Sequence, residues 1–530
     1  MTKKRLSVAL VGLLAMAVLA PVVQADVKLP AIIGSNMVLQ ADMKDPIWGW
    51  ADAGEKVTVT IGDQKVEATA GAAGKWQVRL TAMKAGAGPL EMTVAGKNTL
   101  KLTNILVGEV WICSGQSNMG FTVKGGNNAE QEIAAAKYPK IRLFTVAHVT
   151  SDTPQDDVKG QWEECSPENV GGFTAVGYFF GCDLFKALGV PVGLVNTSWG
   201  GTPAEAWTSR EALEADAALK PLFDRQKQSL GDYPKALEAW EKTKDKRLAD
   251  WKAAADKAKA EGNAPPRKPQ APDEPNKSPR RPTALYNAMI APLIPMGIRG
   301  AIWYQGEANS GRAMEYRKLF PAMIQDWRKR WGEGDFPFLF VQLANYMARA
   351  PEPADSNWAL LREAQTMTLA LPKTGMAVII DIGDAGNIHP KNKQDVGKRL
   401  ALAALATAYG KDVVYSGPMY ESMKVEGDKV RLKFKHLGGG LVAKGGDKLT
   451  GFAIAGEDKK FVWADARIDG DTVVVSAKDV AKPVAVRYAW ADNPECNFYN
   501  KADLPASPFR TDDWAADQAP QRPGKAAKKK

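Results

Sequence analysis

The chain has 530 residues, of which 45% are hydrophobic and 25% are charged. This composition is that of a folded globular protein and excludes the disordered and fibrous classes, and the length predicts two or three domains. The net charge of +10 does not indicate nucleic-acid binding, because three positive residues lie in the first five positions and five lie in the last nine. The body of the chain is therefore close to neutral.

Residues 1–25 have the organisation of a cleavable export signal. Three basic residues precede an apolar run from Leu6 to Val23, and Ala25 offers a small residue at the cleavage point. The alternative is an uncleaved membrane anchor. No later apolar run approaches the roughly 20 residues that cross a bilayer. We therefore expect a periplasmic or secreted mature chain without a transmembrane segment.

Residues 26–104 have the pattern of a small N-terminal β-sandwich. Val57, Val59 and Ile61 alternate with polar residues, and the same alternation recurs over residues 76–80 and 90–94. Glycine-rich turns separate these runs. Alternation with a period of two predicts strands with one buried and one exposed face.

Residues 105–410 predict an α/β domain with a parallel sheet. The strand-like runs are residues 105–112, 192–196, 298–304, 338–343 and 377–381. The helix-like runs between and after them are residues 175–187, 314–331, 358–369 and 393–409. Strands rich in valine and isoleucine that are separated by amphipathic helices favour a parallel sheet with helices on both faces. Ligand sites in such folds lie at the carboxyl ends of the strands.

Three further segments complete the predicted organisation. Residues 224–282 form an inserted helical protrusion with a proline-rich return, since seven prolines lie between residues 263 and 282. Residues 411–515 return to β alternation, with a hairpin predicted over 425–430. Residues 516–530 are a basic, disordered tail. The four cysteines resemble no metal site by their spacing, and their pairing stays open.

Ser117 lies directly after the first predicted strand of the α/β domain, in Cys113-Ser-Gly-Gln-Ser-Asn-Met-Gly-Phe121. At the end of a parallel strand its hydroxyl would face the site crevice and could act as a nucleophile once a base removes its proton. The same serine could instead cap the following helix, and the motif alone leaves both interpretations open. It is not the esterase motif G-x-S-x-G.

His389 is the candidate base among the three histidines of the chain. It follows the predicted strand 377–381 and so belongs at a strand's carboxyl end, where a histidine oriented by a carboxylate could activate Ser117. Asp384 and Asp381 precede it on the same loop. His148 and His436 are predicted to be structural.

Two other strand exits offer groups that could stabilise an oxyanion. Gln305 follows the strand 298–304 and has a side-chain amide that can donate, and Gly200 and Gly201 follow the strand 192–196 and could present a backbone N–H. Complementary groups at four strand exits favour an acyl-transfer site at this edge of the sheet.

The chain resembles the sialate O-acetylesterase family within the SGNH (GDSL-like) hydrolases. The motifs of the resemblance are Gly108 to Met119, Ser198-Trp-Gly-Gly-Thr202, Leu285 to Ile290, Trp303 to Asn309 and Asp381 to Lys393, with Asn36 to Gln40 and Arg487 to Pro494 near the two ends. Apart from the insertion and the tail, the resemblance covers nearly the whole mature chain.

The resemblance implies a role for each candidate residue. Ser117 would be the nucleophile and His389 the base, with the backbone N–H groups of Ser117 and of Gly200 or Gly201 and the side chain of Gln305 in the oxyanion hole. The usual acid lies three residues before the histidine, and here that residue is Gly386. Asp384 is the preferred orienting carboxylate and Asp381 the second choice, and a Ser-His dyad is the alternative. Residues that could line the site are Gln116, Asn118, Trp199, Glu307 and Asn309.

We therefore expect an exported serine esterase that removes O-acetyl groups from a sugar or glycan, most simply a sialate O-acetylesterase. An esterase of acetylated xylan or another polysaccharide is the first alternative. A non-catalytic carbohydrate-binding protein is the second, since 16 tryptophans suit sugar stacking. This chemistry requires no cofactor and no metal, and the expected partner is the acetylated carbohydrate rather than nucleic acid. The sequence does not indicate an oligomeric state.

Overall fold

The computed structural model describes residues 26–514. The predicted export signal (1–25) and the predicted basic tail (516–530) lie outside the described residues.

The N-terminal region consists of short amphipathic strands. In β3 the residues Val57, Val59 and Ile61 are buried while their neighbours are not, as the alternation predicts. β3 pairs antiparallel with β4 and β6, and β2 pairs antiparallel with β5. The strands are β1 (Val38–Gln40), β2 (Pro46–Trp50), β3 (Lys56–Ile61), β4 (Gln64–Thr69), β5 (Lys75–Arg79), β6 (Leu90–Ala95) and β7 (Thr99–Gly115).

The strand β7 belongs to two sheets. Its first half pairs antiparallel with β6, and its second half lies in the central parallel sheet. The exposure alternates up to Asn104 and then stops, because every residue from Ile105 to Gly115 is buried. The domain boundary predicted at residue 104 therefore falls inside one continuous strand.

The central sheet confirms the predicted α/β class. Its order is β13-β12-β11-β7-β10-β8-β9, and each neighbouring pair is parallel except β8 and β9. The new strands are β8 (Tyr138–Thr145), β9 (Trp162–Cys165), β10 (Val192–Ser198), β11 (Gly300–Tyr304), β12 (Phe338–Val341) and β13 (Thr374–Ala377).

Helices cover both faces of this sheet. Trp111 of β7 contacts Phe180 of α4 on one face, whereas Trp303 of β11 contacts Phe320 and Trp327 of α7 on the other. The α-helices are α1 (Ser117–Gly120), α2 (Ala129–Ala135), α3 (Pro167–Val170), α4 (Ala175–Leu188), α5 (Arg210–Ala215), α6 (Pro221–Ala260), α7 (Ala313–Trp331), α8 (Asn357–Met367) and α9 (Gln394–Thr407). Shorter 3₁₀ and π turns connect them, including a π-helical turn at Tyr286–Ile290.

The inserted segment contains one 40-residue helix, α6, which buries only Leu222 and Trp240. A proline-rich segment without helix or strand follows it. The indole N–H of Trp251 on α6 donates to the carbonyl of Pro266 at 2.8 Å, so the returning segment contacts the helix.

The C-terminal region contains antiparallel sheets around a second hydrophobic core. The predicted hairpin is formed by β14 and β15, whose paired residues include Val425 and Val430. The strands are β14 (Met419–Glu426), β15 (Lys429–Lys435), β16 (Leu441–Ala443), β17 (Phe452–Ala455), β18 (Val462–Trp463), β19 (Asp465–Asp469), β20 (Thr472–Ser476), β21 (Ala485–Tyr488), β22 (Phe498–Asn500) and β23 (Phe509–Arg510).

Two sequence questions have direct structural answers. All four cysteines are unpaired, and Cys113, Cys165 and Cys182 are buried. Between residues 26 and 514, no helix combines the length and the apolar character that a bilayer crossing requires.

Candidate active site

The candidate site lies at the carboxyl edge of the central sheet. Gly115 at the end of β7 is paired with Ser198 at the end of β10 and with Tyr304 at the end of β11. The three strands therefore end at the same level, and the residues that follow them leave the sheet side by side. This register explains why groups far apart in the sequence meet at one place.

A glycine-dependent turn places Ser117. Gly115 has φ +137°, and a Cβ there would lie 2.2 Å from the carbonyl oxygen of Tyr304, so only glycine fits. The N–H of Gln116 donates to that same carbonyl at 3.0 Å. Ser117 is then the first residue of α1, and the N-cap position belongs to Gln116. The hydroxyl of Ser117 is therefore free of the capping role that the sequence left open.

The ring of His389 contacts the hydroxyl of Ser117. Its Nε2 lies 2.8 Å from Ser117 Oγ, and both side chains are half-buried. Burial lowers the pKa of His389 below its ordinary value, and the neighbouring Lys393 lowers it further. A neutral imidazole at neutral pH can accept the hydroxyl proton, which is the requirement for a general base.

Neither predicted carboxylate contacts this ring. Asp384 is exposed and its Oδ1 accepts from the N–H of Gly386 at 2.8 Å, which closes a local turn. Asp381 is bound by both Arg399 and the hydroxyl of Tyr499. Within residues 26–514, the only hydrogen bond of the His389 ring is the one to Ser117. The structure thus brings Ser117 and His389 together and leaves Asp384 and Asp381 apart from them.

Asn118 connects the nucleophile turn to the His389 loop. Its buried side-chain Nδ2 donates to the carbonyl of Ile388, the residue before His389, at 3.0 Å. The same Nδ2 donates to Glu307 Oε1 at 2.6 Å, and Asn118 Oδ1 accepts from Lys393 Nζ at 2.7 Å. A single amide therefore joins three segments beneath the Ser117–His389 pair.

Two ionisable groups are buried with Asn118. Burial raises the pKa of Glu307 and lowers the pKa of Lys393 to about 7. The ammonium of Lys393 also lies 4.9 Å and 5.3 Å from the ring centres of Phe121 and Tyr304. Lys393 thus places a titratable positive charge close enough to His389 to lower its pKa.

The turn after β10 lies against the nucleophile. A Cβ at Gly200 would be 3.3 Å from the Cβ of Ser117, and the N–H of Trp199 donates to Gly115 at 3.0 Å. Gly201 has φ +73° and open space where a side chain would project. The half-exposed indole of Trp199 stacks on the ring of His148, with centres 4.3 Å apart. Gly200 is therefore the nearer of the two predicted glycines.

Gln305 is fully buried, and its amide is already engaged. Nε2 donates to Asn309 Oδ1 at 2.6 Å and to the carbonyl of Thr202 at 3.3 Å, while Oε1 accepts from the hydroxyl of Tyr316. Asn309 in turn donates to Glu205 at 3.0 Å. In this arrangement Gln305 supports the turn that contains Gly200, and its amide does not point freely into the crevice.

The other predicted site residues have defined places. Gln116 Oε1 accepts from the N–H groups of Ala308 at 3.2 Å and Gly306 at 3.5 Å, so it fixes the turn after β11. His148 contacts the carbonyl of Ser198 through Nε2 at 2.9 Å, at the rim beside Trp199. His436 contacts Tyr415 in the C-terminal region.

Lys393 is the site residue whose role the sequence reasoning missed. It lay inside a motif of the resemblance, but a lysine is normally expected at the surface. One signal was present: Lys393 immediately precedes helix α9, where the helix dipole disfavours a positive charge. A lysine in that position, four residues after His389, indicates another reason for its presence.

Comparison with known proteins supports this geometry from outside. The carbohydrate esterase family described as sialic acid-specific acetylesterase matches residues 276–406, a range that includes Gln305, His389 and Lys393. Ser117 lies before that range.

Two curated relatives and one solved structure extend over nearly the whole chain. The sialate O-acetylesterase of Rattus norvegicus is 32% identical over 94% of this chain and 97% of its own length. The human sialate O-acetylesterase is 31% identical and covers 94% of each chain. The crystal structure of a carbohydrate acetylesterase from Xanthomonas citri has 40% identity and a TM-score of 0.79, covering 92% of this chain and 100% of the other.

Proposed function

The chain belongs to the sialate O-acetylesterase family and is a carboxylic ester hydrolase that removes O-acetyl groups from carbohydrates, and from that premise we propose that Ser117 is its nucleophile and His389 its general base. The observation that supports this assignment is the 2.8 Å distance between His389 Nε2 and Ser117 Oγ. The lowered pKa of His389 is consistent with a base that is neutral at the start of the reaction.

The first half of the reaction forms an acetyl-enzyme. His389 Nε2 accepts the hydroxyl proton as Ser117 Oγ attacks the acetyl carbonyl carbon, and the carbonyl oxygen becomes an oxyanion. The N–H groups of Ser117 and Gly200 are our choice of donors to that oxyanion. The protonated His389 then gives its proton to the sugar oxygen, and the sugar leaves as an alcohol.

The second half hydrolyses the acetyl-enzyme. A water molecule gives a proton to His389 and attacks the acetyl carbon, and the collapse of the second tetrahedral intermediate returns that proton to Ser117 Oγ and releases acetate. This cycle consumes one water molecule for each acetyl group.

We favour a Ser-His dyad in which Asn118 positions the loop of His389. Asn118 holds the carbonyl of Ile388, and the two predicted carboxylates are engaged with Gly386 and with Arg399 and Tyr499. We also place Gln305 as a positioning residue for the Gly200 turn, since its amide is bonded to Asn309 and Thr202.

The decisive experiment for the nucleophile is Ser117→Ala assayed with 4-nitrophenyl acetate. Loss of a triad-type nucleophile costs several orders of magnitude in turnover, so we expect a fall of at least about 10³-fold with an unchanged thermal unfolding midpoint. Ser166→Ala is the matched control, because Ser166 precedes α3 and makes no side-chain capping bond. Retained turnover in Ser117→Ala would refute the assignment.

Sialic acid is our first choice for the acetylated sugar, since the relatives that extend over the whole chain are sialate O-acetylesterases. The carbohydrate acetylesterase of Xanthomonas citri keeps a plant glycan such as acetylated xylan as the second. Acetate release should be measured side by side from 9-O-acetyl sialic acid and from acetylated xylan. A kcat/KM that is at least tenfold higher on xylan would reverse the order.

We propose that the protein is exported to the periplasm or secreted, on the pattern of residues 1–25 alone. Sequencing of the amino terminus of the mature protein should give Asp26 as the first residue. A mature protein that still begins at Met1 would contradict this proposal.

A further inference from the structure

A second cavity lies beside the active-site edge, between the loop after β12 and the C-terminal region. Its volume is about 280 Å³, and its walls include Asp355, Phe461, Trp463, Arg487, Trp490 and Trp514. We call it the aromatic cavity. Its volume is at the lower end of the range for ligand sites, and so it suits one small unit of a ligand.

The walls of the aromatic cavity are held by stacked rings. The guanidinium of Arg487 lies 4.1 Å from the ring centre of Phe461 and 5.3 Å from that of Trp490. Phe461 also contacts Trp514, with ring centres 5.6 Å apart. Arg487 is buried and bonded to Asp512 at 2.9 Å. A cavity with walls fixed in this way loses little freedom when a ligand enters.

Trp463 leaves an aromatic face available to a ligand. It is 44% exposed, although it is among the largest apolar side chains. Its indole N–H donates to the carbonyl of Pro351 at 2.8 Å, which fixes the orientation of the ring. An oriented and solvent-facing indole has no evident role in stability, whereas it is the surface on which the C–H face of a sugar ring packs.

The charges of the aromatic cavity favour a neutral ligand. The cation of Arg487 is neutralised by Asp512 and, at 3.3 Å, by Asp355. Asp355 is itself exposed, so its second oxygen can accept from a hydroxyl group. An aromatic platform beside a fixed acceptor suits a polyhydroxylated ring better than a carboxylate or a phosphate.

One loop connects the aromatic cavity to the His389 loop. Residues 342–356 follow β12 and so begin at the carboxyl edge of the sheet. Asn345 Oδ1 accepts from the N–H of Gly383 at 2.7 Å, and the N–H of Met347 donates to Ala385 at 3.1 Å. Further along, Pro351 and Asp355 line or support the cavity.

A buried arginine fixes the relative position of the two regions. Arg362 is fully buried and donates to the carbonyls of Leu343 and Ala344 on one side and of Ala491 and Asp492 on the other. Trp490 of the cavity wall directly precedes this second pair. The distance from the aromatic cavity to His389 is therefore set by the fold.

We propose that the aromatic cavity binds an unacetylated, neutral sugar unit of a glycan whose acetylated unit lies at Ser117. This inference rests on the proposed function and adds to it that the enzyme prefers an acetylated oligosaccharide to an acetylated monosaccharide. The stacking of the sugar on Trp463 contributes to binding and leaves the chemistry at Ser117 unchanged.

The first test measures binding without catalysis. Ser117→Ala protein is titrated calorimetrically with xylohexaose, cellohexaose and mannohexaose, each without acetyl groups. We expect at least one of them to bind and the additional change Trp463→Ala to weaken that binding about tenfold or more. Trp251→Ala is the matched control, since the Trp251 indole also donates to a proline carbonyl at 2.8 Å but lies on the inserted helix. Absence of binding by all three, or equal affinity with and without Trp463, would overturn the proposal.

The second test measures catalysis as a ratio. For each variant, kcat/KM on an acetylated oligosaccharide of the class that binds is divided by kcat/KM on 4-nitrophenyl acetate, which cancels any general loss of folded enzyme. Trp463→Ala should lower this ratio about tenfold through KM, Trp463→Phe should restore most of it, and Asp355→Asn should lower it less. An unchanged ratio in Trp463→Ala and Asp355→Asn would overturn the proposal. If the wild-type enzyme binds the oligosaccharide through Trp463 but releases no acetate, the proposed function fails and the binding site stands.

Discussion

The two sides of the Ser117–His389 pair are held in different ways. Ser117 follows three paired strand ends, and a glycine that no other residue can replace sets its turn. His389 lies on a partly exposed loop beyond the last strand of the sheet, and its neighbourhood is held by the side chain of Asn118. The backbone thus fixes the nucleophile, whereas side chains fix the base.

This difference has a consequence for how mutations act. A change in the turn of Ser117 moves backbone atoms in the middle of the sheet, and so it affects folding and activity together. A change around His389 removes side-chain contacts at the edge of the fold, and so it alters the orientation or the pKa of the base while the sheet remains intact. The following predictions test that contrast, in order of decreasing expected effect.

Gly115→Ala should have the largest effect on the nucleophile side. The new Cβ would lie 2.2 Å from the Tyr304 carbonyl at φ +137°, which forces Ser117 away from its place. A displacement of about 1 Å costs roughly 10² in rate, so we expect kcat/KM on 4-nitrophenyl acetate to fall at least that far, together with a lower unfolding midpoint. Gly189→Ala is the control, since Gly189 has φ +70° but open space around it. A Gly115→Ala enzyme with wild-type activity would break the contrast.

Asn118→Ala should lower activity with a smaller effect on folding. It removes the bond to Ile388 and leaves Glu307 and Lys393 without their common partner. We expect kcat/KM to fall about tenfold, and stability to fall by about 1–3 kcal/mol because buried polar groups become unpaired. The control is Asn127→Ala at an exposed position. Equal losses in the two variants would show that Asn118 does not position His389.

Lys393→Met should shift the pH dependence of the reaction. The acid limb of kcat/KM reports protonation of the free base, and burial together with Lys393 lowers the pKa of His389 below its ordinary 6.5. With its own pKa at about 7, Lys393 is mainly charged over that limb. Removal of this charge should raise the pKa of His389, so that activity is lost at a higher pH than in the wild type. An unchanged or lower acid limb would contradict the assignment of His389 as the base.

Asp384→Asn and Asp381→Asn should have the smallest effects on catalysis. Neither carboxylate contacts the ring, so kcat/KM should remain within about twofold of the wild type in both variants, in keeping with the dyad. Asp381→Asn should nevertheless lower stability by roughly 1–3 kcal/mol, because Asp381 is bonded to Arg399 and Tyr499. A fall of 10²-fold or more in Asp384→Asn would restore the triad.

The architecture followed from hydrophobic periodicity. Long amphipathic helices such as α4 and α7 and buried strands such as β10 and β11 lie within a few residues of their predicted positions. The continuity of β7 did not follow, because its exposure pattern changes at residue 104 where the strand passes from a half-exposed sheet into a fully covered one. A change of pattern was interpreted as a change of domain.

The candidate site was partly predictable for a related reason. Carboxyl ends of parallel strands meet at one edge, and this rule brought Ser117 and His389 together on paper before their 2.8 Å separation was known. The partner of a carboxylate on a loop depends on local turns, such as the one that Asp384 closes with Gly386. The engagement of Gln305 and the burial of Lys393 depend on side-chain packing that sequence spacing does not specify.

The continuous strand β7 also limits how this enzyme can be cut or recombined. At about 3.3 Å per residue its 17 residues extend for roughly 55 Å, and the final one sets the turn of the nucleophile. A truncation that started the chain at residue 105 would remove the hydrogen-bonded half of that strand and expose an unpaired edge six to eleven residues upstream of Ser117. The N-terminal region is therefore not an exchangeable appendage: in a modular swap between relatives, the exchange point belongs before Thr99.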